Sequence, residues 1–175
     1  KDGIVSLCMA AEIARWADEA DKTIPDIIED IYRRFGVFDE SQISVYLRGE
    51  TGMTRIRETM DTLRTAPPDQ LAGVPVTDMT DYLEVAFRDA DGKRLRGQKQ
   101  LPESNVLLFS LGELGAVVAR PSGTEPKIKF YFNLCDTAGA PFDSHAEVRR
   151  RVKALNQKAQ TIKDAFMKHI GLSAE

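Results

Sequence analysis

Residues 116–134 read AVVARPSGTEPKIKFYFNL, which places a polar loop between two apolar runs. The second run has an apolar side chain at every second position, at Ile128, Phe130, Phe132 and Leu134. This period of two predicts a strand with one buried face. A plain hairpin loop has about two to five residues, whereas residues 120–126 form a longer connection with a proline near each end. We therefore expect this 120–126 loop to have a function of its own.

The 120–126 loop carries residue types that suit an anion. Ser122, Gly123 and Thr124 are small, so their backbone N–H groups can approach an anion closely, and the two hydroxyls add donors. Arg120 supplies a planar fork that matches two phosphate oxygens. Glu125 would repel a phosphate, and we assign it to orienting Arg120. The residues alone leave two interpretations open, a phosphate site and a wide turn with an incidental arginine.

Two lysines follow the loop on one face of the predicted strand, Lys127 and Lys129. We interpret Lys129 as a supporting cation for the bound phosphate. Charge at the edge of a strand is the alternative explanation for both lysines.

The composition excludes several classes of function. Of 175 residues, 42% are apolar and 29% are charged, which is typical of a folded domain with a hydrophilic surface. The net charge of −3 gives no argument for nucleic acid or membrane partners, and no apolar run is long enough to span a bilayer. Cys8 and Cys135 lie far apart without metal-ligand spacing, which favours a reduced, cytoplasmic compartment. The chain lacks an initiator methionine, so we expect it to be a piece of a longer protein.

The first 41 residues predict two helices. Asp2 can cap a helix whose apolar positions cover more than one face, as in a helix that is buried on several sides. Thr23 caps the second helix, Pro25 lies in its first turn and Gly36 ends it. The apolar periodicity lapses at residues 37–41, where we place a boundary or hinge.

The rest of the chain, residues 42–175, predicts strands with few helices between them. We expect a strand at 43–48, a helix from Thr51 to the prolines at 67–68, a hairpin with its turn at Asp91-Gly92 and a strand at 106–111. Ser144 then begins a long amphipathic helix. The basic residues at 93–99 and 149–158 are expected to be solvated charge, with no nucleic acid bound. This pattern predicts an α+β fold with a largely antiparallel sheet.

The run RPSGTEPKIKFY at 120–131 resembles the phosphate-binding loop in the C-terminal domain of the α-D-phosphohexomutases. Residues 52–57 (GMTRIR), 63–68 (LRTAPP) and 101–107 (LPESNVL) are similar to segments of the bacterial phosphoglucomutase and phosphopentomutase branch. The resemblance implies that residues 42–175 are the C-terminal domain, a helix-backed sheet like the TATA-binding protein. It also implies that residues 1–41 are the helical end of the preceding, third domain.

The resemblance further implies a reaction for the parent enzyme. Such mutases interconvert glucose 1-phosphate and glucose 6-phosphate through a phosphoserine, Mg²⁺ and a glucose 1,6-bisphosphate intermediate, using one loop from each of four domains. Only the phosphate-binding loop is recognisable here, at Arg120, Ser122, Gly123, Thr124, Glu125 and Lys129. The flanks of Ser144-His145 do not fit a phosphoserine loop, and no Asp-x-Asp-x-Asp or Gly-Glu-Glu-Ser-Gly run occurs. We expect no catalytic residue and no metal ligand in this chain, and no activity from it alone.

Three alternatives remain at this stage. The parent could be a phosphopentomutase or a phosphomannomutase of the same family. The chain could instead be a non-catalytic module that senses a phosphosugar, or a protein-interaction domain in which the loop is only a turn. In the enzyme interpretation, the partners are the phosphosugar and the missing N-terminal domains.

Overall fold

The computed structural model describes residues 2–47, 49, 51–83, 86–89, 94–96 and 103–172, with only the backbone of 86–89 and 94–96. It groups the chain into two compact units. The first unit contains residues 1–37 and 136–153, and the second contains residues 38–135 and 154–175. The assignment of residues 1–41 to a preceding domain stays a prediction. Among the described residues, no helix is long and apolar enough to cross a membrane.

The first unit begins with two capped helices. Helix α1 spans Gly3–Glu19, and the Asp2 carboxylate accepts from the backbone N–H groups of the next residues at 3.0–3.1 Å. Helix α2 spans Ile24–Phe35, with Thr23 in a capping box. Gly36 ends α2 at φ 105°, and a Cβ there would meet backbone atoms of Asp136 and Thr137 at 2.7–2.9 Å. The predicted starts of both helices and the predicted end of α2 at Gly36 are confirmed.

The apolar side chains of α1 are mostly exposed, although the sequence pattern predicts burial on several sides. The exposed set comprises Ile4, Val5, Leu7, Met9, Ile13 and Trp16. Ala17 is the only residue of α1 that is buried within the part of the chain that the structure describes. The apolar surface that the pattern marks for burial is therefore uncovered in this structure.

Residues 136–153, which include the loop after the last strand of the chain, also belong to the first unit. The Phe142 N–H donates to the Arg33 carbonyl at 2.7 Å, and the Phe142 side chain is buried. The Arg151 guanidinium lies 4.3 Å from the Phe142 ring centroid and pairs with Asp136 at 2.8 Å and Glu147 at 3.0 Å. These two carboxylates raise the pKa of Arg151, because they stabilise its charged form.

A seven-stranded sheet dominates the second unit, in the order β1-β9-β8-β7-β4-β5-β6, with β2 and β3 as a separate pair. Every pairing whose register is described is antiparallel. The helices α3 and α4 and a short 3₁₀ turn, Gly112–Leu114, accompany the strands. The predicted α+β fold with a largely antiparallel sheet is confirmed. The bounds are β1 Val37–Tyr46, α3 Gly52–Thr65, β2 Gln70–Leu71, β3 Val74–Pro75, β4 Asp78–Asp81, β5 Ala86–Asp89, β6 Arg94–Arg96, β7 Leu107–Ser110, β8 Gly115–Pro121, β9 Lys127–Asp136 and α4 His145–His169.

Strand β1 begins earlier than the sequence predicts. Residues 37–41, where we expected the periodicity to lapse, belong to this strand. Asp39 and Ser41 occupy alternate half-buried positions, and the Ser41 hydroxyl donates to the Asp39 carboxylate at 3.0 Å. A search for apolar alternation misses such positions because polar side chains fill them.

The predicted hairpin at Asp91-Gly92 is flanked by β5 and β6, which pair antiparallel as expected. The turn residues lie outside the described residues. So do Lys93 and Lys99 of the predicted basic cluster, and the side chains of Arg94 and Arg96 are not described.

Phe166 of α4 packs against the apolar face of the sheet. Its ring centroid lies 5.9, 5.3 and 5.9 Å from those of Phe109, Phe130 and Phe132, and all four side chains are fully buried. The predicted apolar stripe of α4 is confirmed at Val148, Leu155, Ala159, Ile162 and Phe166, whereas Val152 and Ile170 are half-buried. This packing leaves the opposite face of β8 and β9 available for the polar residues next to the loop.

Candidate functional site

The predicted 120–126 loop overlaps the end of β8, because Arg120 and Pro121 are the last two residues of that strand, and residues 122–126 connect β8 to β9. Backbone hydrogen bonds close this connection. The Ser122 N–H donates to the Lys127 carbonyl at 2.8 Å, and the Lys127 N–H donates to the Glu125 carbonyl at 2.7 Å. On the neighbouring strand, the Leu47 N–H donates to the Pro126 carbonyl at 2.9 Å. The two ends of the loop are therefore held by the sheet.

Arg120 and Lys129 face each other across the β8–β9 ladder, as register partners. Register partners in an antiparallel pair point to the same face, and like charges placed opposite each other are destabilising. Within the described part of the chain, neither side chain has a carboxylate at ion-pair distance. An anion bound between them would remove this repulsion.

The donors of the loop differ from those that the sequence suggests. The Ser122 N–H is already used in closing the loop. The Ser122 hydroxyl oxygen accepts from the N–H groups of Thr124 at 3.5 Å and Glu125 at 3.3 Å, both long contacts, and its own proton stays available. No partner of the Gly123 N–H is found among the described residues. The remaining donors are thus this N–H and the hydroxyls of Ser122 and Thr124.

Gly123 stands in open space. A Cβ placed on it would meet no atom within 4 Å, and its φ lies outside the left-handed region that disfavours side chains. The fold therefore does not require a glycine at this position. The open space leaves the backbone at Gly123 accessible.

Glu125 does not contact Arg120 in this structure. The Glu125 side chain is exposed, and its charge acts on Lys127, whose pKa it helps to raise. The expected orienting ion pair between Glu125 and Arg120 is absent from the described contacts.

Tyr46, at the end of β1, contacts a residue next to the candidate site, and sequence reasoning missed it. Its hydroxyl accepts from the Lys127 ammonium at 2.6 Å, and the nitrogen lies 4.5 Å from the Tyr46 ring centroid. The hydrogen bond to Tyr46 is the largest cause that raises the pKa of Lys127. No local signal could find this contact, because 81 positions separate the two residues.

No group of three or more His, Cys, Asp or Glu side chains in the described ranges could hold a metal ion. Neither Cys8 nor Cys135 forms a disulfide bond, and the Cys135 thiol donates to the Glu113 carbonyl at 3.3 Å.

Comparison with known proteins places the loop within a recognised segment. Residues 73–140 match the family described as phosphoglucomutase/phosphomannomutase, C-terminal domain. A probable phosphomannomutase from Haemophilus influenzae is 32% identical over 133 residues, which are 76% of this chain and 24% of that protein. A phosphoglucomutase from Staphylococcus haemolyticus is 36% identical over 113 residues, 65% of this chain and 20% of that protein. The chain thus spans about a quarter or less of these relatives.

A structural comparison gives a more distant likeness. The open form of pp63/parafusin, a phosphoglucomutase from Paramecium, aligns with 87% of this chain and 24% of its own chain, at 15% identity and a TM-score of 0.46. This similarity is too low to support any statement about the site.

Proposed function

This chain is related to the phosphoglucomutases and phosphomannomutases and contains their C-terminal domain at residues 73–140, and we propose that its 120–126 loop binds the phosphate group of a phosphosugar. Arg120 is the bidentate donor and Lys129 the supporting cation. The Gly123 N–H and the hydroxyls of Ser122 and Thr124 supply the remaining hydrogen bonds. The phosphate held here is the one that is not being transferred.

The facing pair Arg120 and Lys129 is the observation that carries this proposal. Two cations held opposite each other without a counter-ion cost free energy in the empty state, and a phosphate dianion converts that cost into attraction. An incidental turn needs neither the facing cations nor the open glycine beside them. Both features are explained at once by an anion between β8, β9 and the loop.

The chemistry of such a site is positioning. A mutase that moves a phosphoryl group between two positions of a sugar must accept the sugar in two orientations. Contacts that grip the phosphate and make no demand on the ring allow both orientations, and correct placement of a bound reactant accounts for a large part of many rate enhancements. The 120–126 loop has donors of this kind.

We assign the phosphoryl transfer itself to parts of a longer protein. The parent enzyme in this proposal interconverts glucose 1-phosphate and glucose 6-phosphate through a phosphoserine and glucose 1,6-bisphosphate. Mg²⁺ prefers clustered oxygen ligands, and the described residues do not provide such a cluster, so they do not fit the metal. The chain by itself is then inactive. Mannose phosphate is the second candidate substrate, because one relative is named a probable phosphomannomutase.

The test is a titration of the ¹⁵N-labelled chain with glucose 6-phosphate. We expect the amide signals of Gly123 and Thr124 to shift, with a dissociation constant around the millimolar range, which corresponds to roughly −4 kcal/mol. Inorganic phosphate should shift the same signals, and glucose should not. A well-dispersed spectrum in which these amides stay unchanged at tens of millimolar ligand would contradict the proposal.

The variant Gly123→Ala separates binding from folding. A Cβ at Gly123 meets no protein atom within 4 Å, so the thermal unfolding midpoint should change by no more than a degree or two, in line with surface substitutions of within about 0.5 kcal/mol. Binding of glucose 6-phosphate should nevertheless weaken about tenfold, because the methyl group occupies the path by which the phosphate reaches the backbone. Equal affinity of both proteins would show that no ligand comes close to this backbone.

We further propose that the preceding part of a longer chain covers the apolar side chains of α1. Trp16 reports on this directly, since it is the only tryptophan and its side chain is 56% exposed. We expect the fluorescence of the chain alone to have the long-wavelength maximum of a hydrated indole, and that of the longer protein to be shifted to shorter wavelength. Equal maxima in the two proteins, unchanged by dilution, would count against this partner.

A further inference from the structure

The contact between Tyr46 and Lys127 ties a cation of β9 to the end of β1. The ammonium donates to the Tyr46 hydroxyl at 2.6 Å and lies 4.5 Å from the ring centroid. Between the residues next to them, Leu47 after the end of β1 and Pro126 before the start of β9, the Leu47 N–H donates to the Pro126 carbonyl at 2.9 Å. Backbone and side chain of β1 therefore hold the same end of the loop.

Lys127 occupies the position nearest to the loop on the face that carries the other cations. It lies two residues before Lys129 on β9, so the two side chains share a face. Arg120 lies opposite Lys129 on that face. The Lys127 carbonyl also accepts the Ser122 N–H that closes the loop. Its backbone and its ammonium are thus both fixed next to the candidate anion site.

A lysine without such a partner would be a poor binding group. Its side chain has four rotatable bonds, and ordering it on binding opposes the attraction that its charge provides. A hydrogen bond and a cation–π contact made before the ligand arrives remove most of this penalty. Tyr46 is 46% exposed, so the ammonium keeps access to solvent and to a ligand.

We propose that Tyr46 is a positioning residue of the phosphate site, which holds Lys127 as a third cation, beside Arg120 and Lys129, for the dianion of a phosphate monoester. This inference rests on the proposed function of the 120–126 loop. Three cations on one face favour a doubly charged phosphate monoester over a singly charged diester. The contact therefore indicates a monoester as the ligand.

The test compares Tyr46→Phe, Lys127→Ala and the double variant in titrations with glucose 6-phosphate. Tyr46→Phe keeps the ring and removes the hydroxyl, and we expect it to weaken binding about three- to tenfold. Lys127→Ala should weaken binding at least as much. The double variant should bind like Lys127→Ala alone, because Tyr46 acts only through Lys127. Tyr32→Phe, which removes the hydroxyl of a tyrosine in α2 of the first unit, is the matched control and should bind like the wild type.

A spectroscopic measurement accompanies the titrations. The ¹³Cε signal of Lys127 should titrate at a lower pH in Tyr46→Phe, because the lost hydrogen bond no longer raises the pKa of the ammonium. We expect the pKa values of the other lysines to stay the same. A variant that only loosened the fold would not change the pKa of Lys127 alone.

The outcomes distinguish failure of the positioning role of Tyr46 from failure of the phosphate site itself. If the wild type binds and Tyr46→Phe binds equally well, the positioning role is overturned and the phosphate site stands. The positioning role is also overturned if Tyr46→Phe lowers the affinity of Lys127→Ala by the same factor as it lowers that of the wild type. Tyr46 would then act without Lys127. If the wild type binds no phosphate ligand, the proposed function fails, and the positioning role falls with it.

Discussion

Arg120→Ala should weaken binding of glucose 6-phosphate by about ten- to a hundredfold without destabilising the free chain. Hydrogen bonds to a charged group contribute about 1.5–3 kcal/mol each, and Arg120 is the donor that can make two to one phosphate. In phosphate-free buffer the variant should be as stable as the wild type or slightly more stable, because the repulsion across the ladder from Lys129 is removed. The two effects have opposite signs, and thermal unfolding with and without ligand measures both.

Two variants complete this test. Arg120→Lys keeps the charge and loses the planar fork, so it should recover only part of the affinity. Arg150→Ala removes an exposed arginine from α4, where its one described ion pair is a weak contact of 3.7 Å to Glu147, and it should bind normally. In a longer enzyme containing this chain, Arg120→Ala should raise KM, because the sugar phosphate binds less tightly. It should also lower kcat, because a misplaced sugar reacts more slowly. Unchanged binding and kinetics would remove Arg120 from the site.

Phe166→Ala should lower the free energy of unfolding of the second unit by about 3–5 kcal/mol, the range for truncating a buried phenylalanine. The ring contacts Phe109, Phe130 and Phe132 with centroids 5.3–5.9 Å apart, and aromatic pairs add about 0.5–1.5 kcal/mol beyond the area they bury. The cavity left behind cannot close, since strands hold three of its walls. Denaturant unfolding followed by circular dichroism gives the measurement.

The control for this prediction lies on the same helix. Gln157→Ala replaces an exposed residue by another good helix former and should change the unfolding free energy by less than about 0.5 kcal/mol. Phe166→Leu should fall between the two, because it refills part of the cavity. A loss below about 1 kcal/mol for Phe166→Ala would show that the aromatic cluster is not the centre of the core.

Some features of the candidate site can be predicted from a short segment of sequence, and others depend on how the strands pair. Arg120, Ser122, Gly123 and Thr124 are contiguous, so their residue types alone suggest an anion site. The sequence does not show that Arg120 is opposite Lys129, because that depends on the register of β8 and β9. It also hides the use of the Ser122 N–H in closing the loop. The inferred roles of these residues in binding stay predictions.

The sequence by itself determined the features that arise within one helix or strand. The caps of α1 and α2, the alternation in β9 and the apolar stripe of α4 follow from periods of 2 and 3.6 and from the hydrogen-bonding needs of helix ends, which neighbouring residues satisfy. The signals for these features lie within one segment, although the apolar faces become buried only by packing against other elements, and the structure confirms them.

Only the tertiary structure decided the elements that distant residues support. Strand β4, an inner strand of the sheet, reads Asp-Met-Thr-Asp and has no apolar alternation. Its Asp81 is buried because Arg64 of α3, 17 positions away, donates to it at 2.8 Å. The contact between Tyr46 and Lys127, across 81 positions, likewise exists only because folding brings the two side chains together. A polar side chain reveals nothing of its partner in the sequence, since burial of its charge or hydroxyl is stabilised only when folding brings that partner within hydrogen-bond distance.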